Sequence, residues 1–136
     1  MATETPKGEH VTPPRPRAPH LQVWHWHVTM ATSIFHRATG VALYVGSILA
    51  ALWVFAIAAG PQYYTPLANL FSTWPGQIIL FLWTIALSFH MINGVRHLIW
   101  DNGQGFKPKT ADQTGWFAIL SSIIVATAIW AVAAFY

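Results

Sequence analysis

Apolar positions in this chain run together in three long blocks, near Thr29–Ala59, Pro75–Trp100 and Gly115–Tyr136. Each block exceeds the ~20 residues a helix needs to cross a bilayer core. From Ala38 to Val95 there is no Asp, Glu, Lys or Arg at all. The pattern predicts an all-α membrane protein with three transmembrane helices. Ahead of the first block, Pro13, Pro14, Pro16 and Pro19 interrupt a polar stretch and block helix formation, which leaves an extended arm that orders against a partner. Leu21–Val28 carries Trp24 and Trp26 among His25 and His27 and reads as an interfacial segment, because indole rings prefer the headgroup level. Residues 1–28 therefore form an arm and interfacial segment, and residues 29–136 the three-helix anchor. Pro61, Pro66 and Pro75 punctuate the Gly60–Trp74 connection, and Asn102-Gly103-Gln104-Gly105 ends the second helix.

Composition narrows the class. With 136 residues, 54% hydrophobic and 8% charged, the chain has too little polar surface for a small soluble domain and must be solvated by lipid. The absence of cysteine excludes disulfides, thiolate metal sites, iron–sulfur ligation and covalent c-type haem attachment, so any haem is held non-covalently. The formal charge of +3 matters through its placement. Lys7, Arg15, Arg17 and Arg37 precede the lipid core of the first span, Arg96, Lys107 and Lys109 surround the second connection, and Gly60–Trp74 has no cation. The positive-inside rule then puts the N-terminus and Asn102–Thr114 in the cytoplasm and Gly60–Trp74 and Tyr136 outside. Charges placed by topology leave no case for nucleic-acid binding. Gly40, Ala42, Gly46, Ser47, Ala50 and Ala51 offer a packing face to other helices, and three spans cannot enclose a large cofactor well, so a partner subunit is expected.

The chemistry concentrates in the run His90-Met-Ile-Asn-Gly-Val-Arg-His-Leu-Ile-Trp-Asp101, where ionisable groups close an apolar helix. Such groups in a membrane span usually mark function. His90 and His97 are seven residues apart, roughly 10.5 Å along the axis and about 20° short of two full turns, so they share a face. Gly94 lies between them, where the missing side chain would let a flat macrocycle approach the backbone. For His90, haem ligation and an interhelical hydrogen bond stand as equal alternatives on residue type. His97, at the membrane edge, suits a propionate or solvent contact. Asp101 is either a helix-end partner of Arg96, at an unfavourable i, i+5 spacing, or a proton relay. On the first helix Ser33 and Arg37 are i and i+4, Gly40 extends their face and His36 neighbours it. Snorkelling to phosphates would satisfy Arg37 alone. Clustered at one depth with Arg96, His97 and Asp101, these groups could instead bond a quinone carbonyl and deliver protons to it.

Three motifs, Arg15-Pro16-x-x-Pro19-His20-Leu21, Ser33-Ile34-Phe35-His36-Arg37-x-Thr39-Gly40 and His90-x-x-x-Gly94-x-Arg96-His97-x-x-x-Asp101, resemble those of the cytochrome b subunits of succinate dehydrogenase, the larger membrane anchors of complex II. The resemblance implies one b-type haem at the interface of a heterodimeric anchor bundle, with His90 as axial ligand and the second axial histidine from the small anchor subunit. It implies that His36, Arg37, Gly94 and His97 surround the haem or its propionates, and that Ser33 and Arg37 contact ubiquinone. The assembly would oxidise succinate to fumarate on a flavoprotein subunit holding FAD, pass electrons through an iron–sulfur subunit and reduce quinone at the membrane. This chain would supply the last half-site. An opening Met-Ala-Thr-Glu-Thr-Pro-Lys without presequence character favours a bacterial inner membrane over a mitochondrial one. The alternatives are a fumarate reductase anchor, with the same fold and reversed physiological direction, and a haem-free assembly or packing protein in which His90 and His97 bond other helices.

Overall fold

The computed structural model describes residues 25–135, so the arm with Lys7, Arg15, Arg17 and Trp24, together with Tyr136, lies outside the described residues. Four helices follow in order: α1 (Val28–Ala59), α2 (Pro61–Ser72), α3 (Trp74–Asp101) and α4 (Pro108–Phe135). Helices α1, α3 and α4 are each long and apolar enough to cross a membrane. Helix α3 packs against both α1 and α4, and α2 lies against α1 and α3.

Two boundaries differ from the sequence expectation. The connection read between the first two spans is itself a helix, α2. Prolines signal a break, but Pro61 and Pro75 occupy the first turns of α2 and α3, where the missing N–H has no partner to lose and the fixed φ suits the helix. Pro66 lies inside α2. The corner into α3 is closed by Thr73, whose hydroxyl accepts from Gly76 N at 3.3 Å while donating to Leu70 O at 2.6 Å. A Cβ on Gly76 would collide with Leu70 O and the Phe71 backbone, so the corner requires glycine. The last helix starts at Pro108 rather than Gly115. Its first turns hold Lys109, Thr110, Asp112, Gln113 and Thr114, and hydropathy marks where a helix meets lipid, not where it begins. At the other boundary Gly103 and Gly105, at φ +77 and +81, end α3 where the Asn-Gly-Gln-Gly run predicts.

The interior is small and polar, and the large apolar side chains point outward. Among the described residues the buried apolar set is Ala56, Phe89, Ala118 and Ala126, while Thr32, Ser88, Asn93, Arg96 and Ser122 are buried polar groups. Lipid tails are as apolar as leucine, so close packing and interhelical hydrogen bonds hold such a bundle in place of a hydrophobic core. Trp130 Nε1 donates to Thr84 Oγ1 at 3.1 Å between α4 and α3, and the Trp130 ring meets Phe81 edge-on. The expected small-residue face of α1 divides: Gly46 is buried against Trp83 of α3, whereas Ala42, Ser47 and Ala51 stay exposed.

Candidate functional site

One face of α1 and the facing stripe of α3 bring three imidazoles together. His36 stacks on His90 with centroids 4.0 Å apart and planes 11° from parallel. It also lies 5.0 Å from His97, whose ring meets Trp100 edge-on at 5.2 Å. The seven-residue spacing that puts His90 and His97 on one face of α3 thus lets a single residue of α1 touch both. Thr39, one turn after His36, places its hydroxyl 3.2 Å from His90 Nδ1. A Cβ on Gly40 would stand 3.2 Å from His90 Cε1, so the glycine lets the imidazole lie close against α1. Gly40 therefore sits against α3 instead of extending the Ser33 and Arg37 face. A Cβ on Gly94 would meet no heavy atom within 4 Å, so the backbone there borders open space between His90 and His97. His36 Nδ1 is buried and has no hydrogen-bond partner.

A second face of α1 carries Ser33 and Arg37. Together with Thr29, Met30 and Ile34 they line an open surface cavity of about 330 Å³ whose only wall is α1. Both side chains are exposed, and Arg37 Nε reaches Ser33 O at 3.4 Å. Consecutive helical residues diverge by about 100°, so Arg37 points into this cavity while His36 points to the imidazoles. The first turns of α1 consequently present two adjacent faces with different chemistry.

Arg96 is placed otherwise than expected, and of the two readings of Asp101 the pairing with Arg96 finds no support. Arg96, read as a cation at the membrane edge, is 6% exposed. Its Nη1 donates to Thr32 Oγ1 and Asn93 Oδ1, both at 3.2 Å. Its Nε donates to Thr114 Oγ1 at 3.0 Å and its Nη2 to Ala111 O at 2.9 Å, while the guanidinium carbon lies 4.0 Å from the Trp100 ring centroid. The guanidinium turns inward because α1 and α4 surround it with acceptors. That orientation leaves no pairing with Asp101, which is exposed at the end of α3. Asn93, which carried no signal in the sequence, belongs to this network and is fully buried. Sequence reasoning also missed that His27 Nδ1 lies 3.3 Å from Asp112 Oδ1, joining the segment before α1 to the first turns of α4. Interhelical partners of this kind leave no periodic trace.

Residues 11–129 match the family described as succinate dehydrogenase/fumarate reductase transmembrane subunit. The chain is 38% identical over 117 residues to the succinate dehydrogenase cytochrome b556 subunit of Rickettsia bellii (strain RML369-C), covering 85% of this chain and 90% of that protein. It is 35% identical over 112 residues to the cytochrome b556 subunit of Paracoccus denitrificans, covering 82% and 86%. It is 32% identical over 112 residues to the mitochondrial cytochrome b560 subunit of Homo sapiens, covering 81% and 66%.

Proposed function

The chain belongs to the succinate dehydrogenase/fumarate reductase transmembrane subunit family, and from that premise we propose that it is the anchor subunit that binds haem b on one face of α1 and α3 and ubiquinone on the adjacent face of α1. It is a multi-pass membrane protein, a subunit of an enzyme complex and not catalytic alone. The observation that carries the proposal is the two-sided start of α1. His36, Thr39 and Gly40 meet His90, and Ser33 and Arg37 line a cavity beside them.

The residues present fit a haem. Gly40 and Thr39 seat His90, Gly94 borders open space along the same stripe, and the unpartnered His36 Nδ1 is a polar atom awaiting an acceptor such as a propionate. His90 would be the axial ligand on this chain, with His36 and His97 beside the propionates and the second histidine on the small anchor subunit. When bound, the haem supplies one-electron transfer. At the cavity Ser33 donates its hydroxyl to a quinone oxygen. Arg37 holds positive charge where negative charge develops on that oxygen before protons arrive, an interaction stronger in the reducing state than in the bound substrate. Asp101, exposed at the same end of the bundle, is the candidate proton relay. Electrons would come from the flavoprotein through the iron–sulfur subunit. The side of the membrane carrying this end follows from its cations: Arg37, Lys107 and Lys109 belong to it, which makes it cytoplasmic in a bacterial inner membrane.

One observation favours a haem-free packing protein, namely that His36 already stacks on His90 as interhelical partners do. A reduced-minus-oxidised spectrum of the purified complex, read with its co-purifying proteins, decides. A bis-imidazole signal with a flavoprotein, an iron–sulfur protein and a second small anchor supports the proposal, and its absence with those partners present refutes the haem assignment. The fumarate reductase direction rests on the partners and on the quinone's potential, and steady-state rates with high- and low-potential quinones separate it.

A further inference from the structure

We propose that Thr39 is the positioning residue for His90, accepting the Nδ1 proton so that Nε2 is the nitrogen presented to iron. The inference rests on the haem reading of the previous subsection and adds to it a residue, an atom and a direction of effect.

The direction of one hydroxyl proton decides the tautomer of His90. Thr39 Oγ1 lies 2.7 Å from Phe35 O and 3.0 Å from His36 O, with the hydroxyl as donor toward these two carbonyls one turn back. A threonine in a helix commonly makes this back-bond, and β-branching confines its rotamer. The proton goes to the carbonyl at the shorter distance, leaving oxygen lone pairs for other neighbours. His90 Nδ1, 3.2 Å away, must then carry the hydrogen between them. A neutral imidazole has one N–H, so protonated Nδ1 means a free lone pair on Nε2, the form a metal-ligating histidine needs.

The imidazole is held on three sides. Thr39 fixes Nδ1, the Gly40 backbone approaches Cε1, and the His36 ring covers one face. A ligand fixed in this way keeps its ring plane when iron is bound, and ring orientation and ligand basicity are levers on haem potential. An acceptor on Nδ1–H makes the imidazole a better donor and favours the oxidised iron. A hydroxyl does so more weakly than a carboxylate, because it carries no charge. In the sequence Thr39 shows as a motif residue with no role attached, and it reaches His90 across 51 positions.

The test uses the whole complex, with Thr39→Val, Thr39→Ser and His90→Ala compared by haem content, potentiometric titration and the low-spin electron paramagnetic resonance signal. Valine keeps the shape and removes the acceptor. Thr39→Val is expected to weaken haem retention roughly tenfold, the low end of the effect usual for groups that orient metal ligands. At a fixed ambient potential its ratio of reduced to oxidised haem should rise several-fold, with changed g-values. Thr39→Ser should restore all three. Should the valine complex fail to assemble, Thr39→Ala is read in the same way. A valine or alanine complex with wild-type potential and g-values, or a serine complex that behaves like valine, overturns the role of Thr39. If His90→Ala keeps the wild-type spectrum, the ligand assignment falls and this inference with it. If His90→Ala loses the spectrum while Thr39→Val matches wild type, the inference alone fails.

Discussion

Arg96 Nη1 donates to Thr32 Oγ1 across 3.2 Å, joining α3 to α1 one residue before Ser33. The same guanidinium bonds Asn93 on its own helix and Thr114 and Ala111 on α4, so one side chain ties together the three helices that cross the membrane. Planar guanidinium suits this task because its donors fork in fixed directions, and a lysine would reach fewer of the acceptors.

Replacing Arg96 should therefore loosen the bundle at the end that carries the candidate site. Arg96→Leu leaves buried acceptors unpaired, each worth about 1–3 kcal/mol, and the hydroxyls of Thr32 and Thr114 keep their backbone bonds. A net loss of roughly 2–4 kcal/mol follows, with about half of it for Arg96→Lys. Thermal inactivation of the detergent-solubilised complex measures it, and midpoints unchanged in both variants would mean the network contributes nothing.

His90 and His97 should respond differently to truncation. His90→Ala should abolish the bis-imidazole spectrum or convert it to another coordination state, because His90 is the imidazole seated by Thr39 and Gly40. His97→Ala should keep six-coordinate haem with a shifted potential. Identical spectra for the two variants would refute the division of roles. His36, stacked on His90, is the imidazole to remove next if ligation is rescued.

Turnover with quinone should depend on Ser33 and Arg37 more than assembly does. Loss of a donor to a developing oxyanion typically costs about 3–4 kcal/mol, or ~10²–10³ in rate, and the exposure of both residues reduces that by screening. Succinate oxidation with a small artificial acceptor and with quinone, measured side by side in haem-loaded complexes, isolates the step. Ser33→Ala and Arg37→Leu should depress the quinone reaction alone. Equal losses in both assays would move the quinone site elsewhere.

Orientation is testable independently of any chemistry. The start of α1, the end of α3 and the start of α4 share one end of the bundle, as the bonds of Arg96 require. Reporters fused after Asp101 and before Val28 should therefore be active on the same side, the cytoplasmic one, and a reporter in α2 on the other. A reporter at the C-terminus that is active only in the cytoplasm would contradict the orientation.

What the sequence made legible was what lies along one helix. Three spans follow from unbroken apolar length, and the shared face of His90 and His97 and that of Ser33 and Arg37 follow from 3.6-residue periodicity. What it hid depends on how helices are rotated against one another. Arg96 meets Thr32 across 64 positions, and nothing in the local pattern distinguishes an inward guanidinium from one that snorkels. The same limit hid the bond between Thr39 and His90 and the close approach of Gly40 to the His90 ring. Helix α2 escaped for a different reason: its prolines read as breaks, whereas Pro61 is a start.

The length of α1 has a further consequence. Thirty-two residues make a rod of about 48 Å, against a hydrocarbon layer of about 30 Å. Leaned over to about 40°, the steep limit for such rods, it still measures about 37 Å along the membrane normal, so about one turn or more stands clear of the oil. Its far end, Ile48–Ala59, is uniformly apolar, whereas Thr29, Thr32, Ser33, His36 and Arg37 crowd the near end, so the near end is the one expected to reach the headgroups. A tailed quinone would then dock like a boat at a quay, with its ring among the phosphates and its isoprenoid chain trailing in the oil. Quinones with clipped tails should reach the same berth directly from water.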